Sequence, residues 1–119
     1  MGGFPVFEED GFVMGQCNAI LRRVGIEHGY YSEDPMIAYN CDSLCDFMED
    51  ILMLFMKSLF PVMFGYGPFA DPETHLTFYD KHTTVIEARL TAHGKPFVAG
   101  TDRPTIADFK MFAPISFGF

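Results

Sequence analysis

The sequence predicts a mainly α chain that opens with a short two-stranded hairpin. Three observations carry this reading. Apolar residues recur at helical spacing through the middle of the chain, an Asp-Gly corner separates two short apolar runs near its start, and residues suited to capping stand ahead of the periodic stretches. With 119 residues, 49 % of them apolar, there is material for one compact globular domain. The 14 Phe and 8 Met, with no Trp, point to a core of aromatic and flexible side chains in buried helices.

Residues 4–7 and 12–14 are the two apolar runs, and the acidic segment Glu8-Glu9-Asp10-Gly11 joins them as a hairpin connection. From Gln16 the period changes. Ala19, Ile20, Leu21 and Val24 form a helical stripe, Arg22, Arg23 and Glu27 are left to face water, and Gly29 ends the element. Residues 30–35 form a polar and aromatic connector, in which Asp34-Pro35 reads as an N-cap followed by proline at the first helical position.

A long helix follows. Ala38, Cys41, Leu44, Cys45, Met48, Ile51, Leu52, Phe55, Met56 and Leu59 make its apolar stripe, and Pro61 is expected to stop or kink it. After a loop at 65–72, Leu76, Tyr79, Thr83, Ile86 and Leu90 give a second stripe that ends near His93-Gly94. Residues 95–100 read as an extended connection. Thr105-Ile106-Ala107-Asp108 then forms a capping box: the Thr105 side chain is expected to accept from the Asp108 amide, and the Asp108 carboxylate to reach back to the Thr105 amide. Pro104 and Phe109 stand at the positions of a hydrophobic staple.

Charge and cysteine content narrow the function. A formal charge of −8 with eight scattered basic residues disfavours nucleic acid or anionic lipid as a partner. Residues 51–69 are apolar, but Lys57, Pro61 and the Gly and Pro between 65 and 68 interrupt them, so a buried helix and loop is expected rather than membrane insertion. Three cysteines, with no export or transit signal visible ahead of them, point to a reducing compartment, the cytoplasm. Cys41 and Cys45 have the spacing of half a metal site, but without paired His or further Cys nearby they read as core, and no metal is expected. The four His are dispersed and read as surface or capping residues, and Tyr30, Tyr31 and Tyr39 as packing residues.

Three groups of residues together carry a family signature: Phe4-Pro5-Val6-Phe7-Glu8-Glu9-Asp10-Gly11, then Gln16-Cys17-Asn18-Ala19-Ile20-Leu21-Arg22 with Gly29-Tyr30-Tyr31, and finally Gly94-Lys95-Pro96-Phe97-Val98-Ala99-Gly100 with Thr105-Ile106-Ala107-Asp108-Phe109. With the acidic spacing of Asp42, Asp46, Glu49 and Asp50, this order resembles the cytosolic glutathione S-transferases, best the alpha, mu, pi and sigma group. The resemblance runs the length of the chain. It implies that residues 1–30 are the last two strands and last helix of a thioredoxin-like α/β domain, and residues 35–119 part of the family's all-α C-terminal domain.

The resemblance also implies a ligand, glutathione. Phe4 would pair through its backbone with the cysteinyl part, Pro5 would be the family's cis proline, and Gln16 and Cys17 would hold the γ-glutamyl end at a helix N-terminus. Asp46, which alone reads as a solvated helix face, aligns with a carboxylate that reaches the γ-glutamyl ammonium across a dimer. Cys17 departs from the family's Ser, and a thiol is the weaker donor. The family's first strand, first helix and second strand, which supply the Tyr, Ser or Cys that donates to the glutathione sulfur, have no counterpart among these residues, so no catalytic residue is assigned. The expected function is that of a glutathione transferase whose parent activity joins the glutathione thiolate to apolar electrophiles. The alternative is a noncatalytic interaction or structural subunit using the Met and Phe face of residues 48–64. Either way, a homodimer or larger assembly is expected rather than a lone monomer.

Overall fold

The computed structural model describes residues 4–68 and 72–116. Strands β1 (Val6–Glu9) and β2 (Phe12–Gly15) form an antiparallel pair, and helices α1 (Cys17–Glu27), α2 (Pro35–Met63), α3 (Pro72–His93) and α4 (Ile106–Ser116) follow. Glu8 and Glu9 belong to the strand rather than to the connection. The loop is only Asp10-Gly11, both at positive φ (49° and 79°), because a two-residue hairpin of this twist needs both central residues there.

The second helix starts where the sequence places it. Asp34 accepts from the Met36 and Ile37 amides at 2.8 and 3.3 Å, and Pro35 occupies the first turn, where its missing N–H costs nothing. Pro61 does not stop it at that residue: α2 runs through to Met63. A proline removes one amide and crowds one carbonyl, so two further residues can complete the last turn, after which the Pro61 carbonyl accepts from Tyr66 at 2.7 Å.

Cys41, Leu44, Cys45, Met48 and Ile51 are buried along one face of α2, with Ala38, Leu52 and Met56 half-buried. The side chains of Phe55, Leu59, Leu76 and Tyr79, also expected in the stripes, lie outside the described residues, as does the 69–71 part of the expected loop. Cys41, Leu44 and Cys45 pack with Val98, Ala99, Ile106 and Ala107 into a core between α2 and α4. α1 packs Leu21 against it and comes closest at Gly25, where a Cβ would come within 2.3 Å of Ile106 Cγ2.

Residues 97–101 are a tight turn rather than an extended connection. The Gly100 amide donates to the Phe97 carbonyl at 2.9 Å, and Phe97 pairs with Thr101 in an isolated bridge. The turn is held by Asp108, whose Oδ1 accepts from the Val98 amide at 3.1 Å. Its Oδ2 accepts from the Thr105 amide at 2.7 Å, as the capping box requires, and from the Thr105 hydroxyl at 2.9 Å. The hydroxyl therefore donates to the carboxylate instead of accepting the Asp108 amide, which approaches the Thr105 carbonyl. Phe109 turns edge-on to Tyr30, with ring centroids 5.0 Å apart.

Candidate functional site

The hairpin register gathers the expected ligand-binding residues. Val6 pairs with Gly15, so Phe4-Pro5 and Gln16-Cys17 emerge from the same end of the ladder. The Phe4-Pro5 peptide bond is cis, and the Phe4 side chain is fully exposed. Gln16 is the N-cap of α1 and adopts φ 74°, ψ 113°, unusual for a residue with a side chain. Backbone held in such a region costs of order 1–3 kcal/mol and is commonest where a binding site requires it.

Cys17 opens α1, and no side chain caps that helix. Its amide ends are therefore available to an anion, the partner that a helix N-terminus favours. The thiol is exposed. Pro5 and Cys17 also border one apolar cavity of about 340 Å³, completed by Val6, Phe7, Ile20, Leu21 and Val24.

Asp46 reaches the same turn from α2. Its Oδ1 accepts from Asn18 Nδ2 at 3.0 Å, so it is tied to the residue after Cys17 within its own chain, and it is exposed rather than idle. Asp42 and Glu49, one turn to either side along the same helix, are likewise engaged. Asp42 Oδ1 accepts from Arg22 Nε at 2.9 Å, and its Oδ2 from the Tyr31 hydroxyl at 2.9 Å. Arg22, expected to face water, thus joins α1 to α2 and is half-buried. The hydrogen bond to Asp42 holds its guanidinium pKa above the ordinary value, against desolvation. Burial pushes the Tyr31 hydroxyl up as well, and the bond to Asp42 adds to this.

Asn18 and Glu49 stand in the family motifs with no role assigned to them and Lys110 stands in none, yet the structure brings all three into this region. Lys110 donates to Glu49 and approaches Cys17 Sγ at 3.6 Å. No periodicity or motif links positions 17 and 110, and only the packing of α4 against α2 and α1 brings them together. Among the described residues no cluster of His, Cys, Asp and Glu is arranged to hold a metal ion, and no helix is long and apolar enough to cross a membrane. Cys41 and Cys45 are fully enclosed, and burial pushes the Cys45 thiol up to about 12.

No family model matches the chain. Individual relatives do. Glutathione S-transferase 1 of Ascaris suum is 31 % identical over 104 residues, covering 83 % of this chain and 50 % of the relative. Glutathione S-transferase A4 of Mus musculus is 25 % identical over 96 % of this chain and 50 % of its own length. Among solved structures, the crystal structure of the glutathione S-transferase from Ascaris lumbricoides superposes with a TM-score of 0.78 at 28 % identity, over 97 % of this chain and 57 % of that one. The chain thus spans about half the length of these relatives. The hairpin, α1 and the helices that follow correspond to a piece of a thioredoxin-like domain joined to helical-domain structure. On the order of its motifs, the architecture they build and these matches, the chain belongs to the glutathione S-transferase family.

Proposed function

We propose that the chain carries the peptide-backbone and γ-glutamyl side of a glutathione site, built by Phe4, Pro5, Gln16, Cys17 and Asp46. The observation that carries this reading is the uncapped first turn of α1, opened by a residue at positive φ and flanked by Asp46. Glutathione ends in an α-amino acid group at its γ-glutamyl side, so it asks for amide donors and a carboxylate side by side. The first-turn amides meet the carboxylate, and the second oxygen of Asp46 meets the ammonium.

The parent activity of such a site is conjugation of glutathione to apolar electrophiles, in the cytoplasm. Retention on immobilised glutathione, with elution by free glutathione, tests binding. The wild-type chain is expected to be retained and Gln16→Ala to pass through. Equal retention of both, or none by a folded wild-type chain, would sink the proposal.

A second reading has its own support. Met53, Met63, Phe64 and Tyr66 are exposed along and beyond the distal half of α2. Apolar surface of that kind suits a homodimer or a larger protein assembly, with the helical scaffold acting as a structural or interaction subunit. Sedimentation equilibrium separates the possibilities: self-association that Met63→Glu abolishes supports the assembly, and a concentration-independent monomer opposes it.

A further inference from the structure

Lys110 has a chemical position that its place in the sequence gives no hint of. Its side chain is only 11 % exposed, and its ammonium contacts one carboxylate, on Glu49 of α2, and one thiol, on Cys17 at the start of α1. Burial works to lower its pKa, but the hydrogen bond to Glu49 leads the opposing effects, and the net result lies above the ordinary lysine value. A partly buried ammonium gains from such partners, since an unpaired one would be costly to desolvate.

The first turn of α1 has no side-chain cap, so what Cys17 does there matters. A thiol free to rotate at the first helical position can swing across the exposed amides. A thiol held from α4 leaves them open. We infer that Lys110 is a positioning residue for the first turn of α1: it fixes the Cys17 sulfur against the helical layer and keeps the turn's amides open to a carboxylate-bearing ligand. Glu49 holds the ammonium in place, and Asp46, through Asn18, holds the same turn from the other side. The inference rests on the glutathione reading and adds to it a residue 93 positions from the thiol it controls.

The test uses the whole chain in four forms: wild type, Lys110→Met, Lys110→Arg and Glu49→Gln. Glutathione affinity is measured by calorimetry. Alkylation of Cys17 by iodoacetate and by iodoacetamide is followed by site-resolved mass spectrometry, because the ratio of the anionic to the neutral reagent reports positive charge at the sulfur. Lys110→Met is expected to weaken glutathione binding about fivefold, near 1 kcal/mol, and to lower the reagent ratio about twofold. Lys110→Arg restores both, which a purely structural defect would not allow, and Glu49→Gln raises the ratio by leaving the ammonium less neutralised.

Unchanged affinity in a folded Lys110→Met, when the wild type binds, overturns the inference. If Lys110→Met does not fold, Glu49→Gln decides, and an unchanged reagent ratio there overturns it. If no form binds glutathione while the ratio still follows the charge at position 110, the placement of Lys110 is upheld and the glutathione reading is what falls.

Discussion

Asp108 satisfies three donors with two oxygens: the Val98 amide, the Thr105 amide and the Thr105 hydroxyl. Thr105 is itself buried, so its released groups would not regain water. Asp108→Ala should therefore cost about 2–3 kcal/mol, more than an exposed cap, and a denaturant titration would show it. Cys45 makes a prediction in pH. Its folded pKa is raised from 9.0 to about 12 by burial, so the neutral thiol contributes stability that is fully present below pH 9 and lost as pH rises toward 12. Cys41 and Tyr31 shift in the same direction and add to the loss. Cys45→Ala should lower stability at neutral pH by about 1 kcal/mol yet flatten the decline measured between pH 9 and 12. Gln16, held at φ 74°, gives a third test: Gln16→Gly should keep or raise the melting temperature while weakening glutathione retention.

The contact between α1 and α4 depends on Gly25. An alanine there would favour an isolated helix by about 1 kcal/mol, but its Cβ would fall 2.3 Å from Ile106 Cγ2, a clash that well-packed interiors resolve at about 1–3 kcal/mol. Gly25→Ala should thus lower the melting temperature despite its better propensity, and an increase would mean that the two helices are free to separate. What the sequence made legible was local. The Asp34-Pro35 start, the Asp10-Gly11 corner and the buried stripe of Cys41, Leu44, Cys45 and Met48 each follow from residues within one or two turns of each other. The end of α2 falls at Met63 rather than at Pro61 because a proline acts chiefly on the turn that precedes it, and the 97–101 turn was not legible because its folding depends on Asp108, beyond the segment itself. For the proposed site, motif resemblance supplied Phe4, Pro5, Gln16, Cys17 and Asp46 and contained Asn18 and Glu49 without giving them a role, whereas the Asn18–Asp46 and Glu49–Lys110 pairings emerge only from helix packing across tens of residues.

At the scale of the molecule the chain is open. A compact domain of 13.4 kDa would expose roughly 6500 Å², and this one exposes 8262 Å². Its radius of gyration of 16.3 Å likewise exceeds the roughly 13.5 Å expected for its length, within a flat envelope of 45 × 43 × 20 Å. The excess surface accompanies the exposed Met and Phe of α2 and the apolar cavity beside β1, and it supports the proposed assembly. The proposed binding region lies apart from the distal end of α2, at the junction where α1 meets α2 and α4. Residue-resolved chemical shifts during titration of the labelled chain with glutathione test this location most directly. Saturable shifts are expected, centred on the amides of Val6 and of residues 16–19, with Asp46 following through Asn18. Shifts confined to residues 53–66, or none at saturating glutathione, would contradict it.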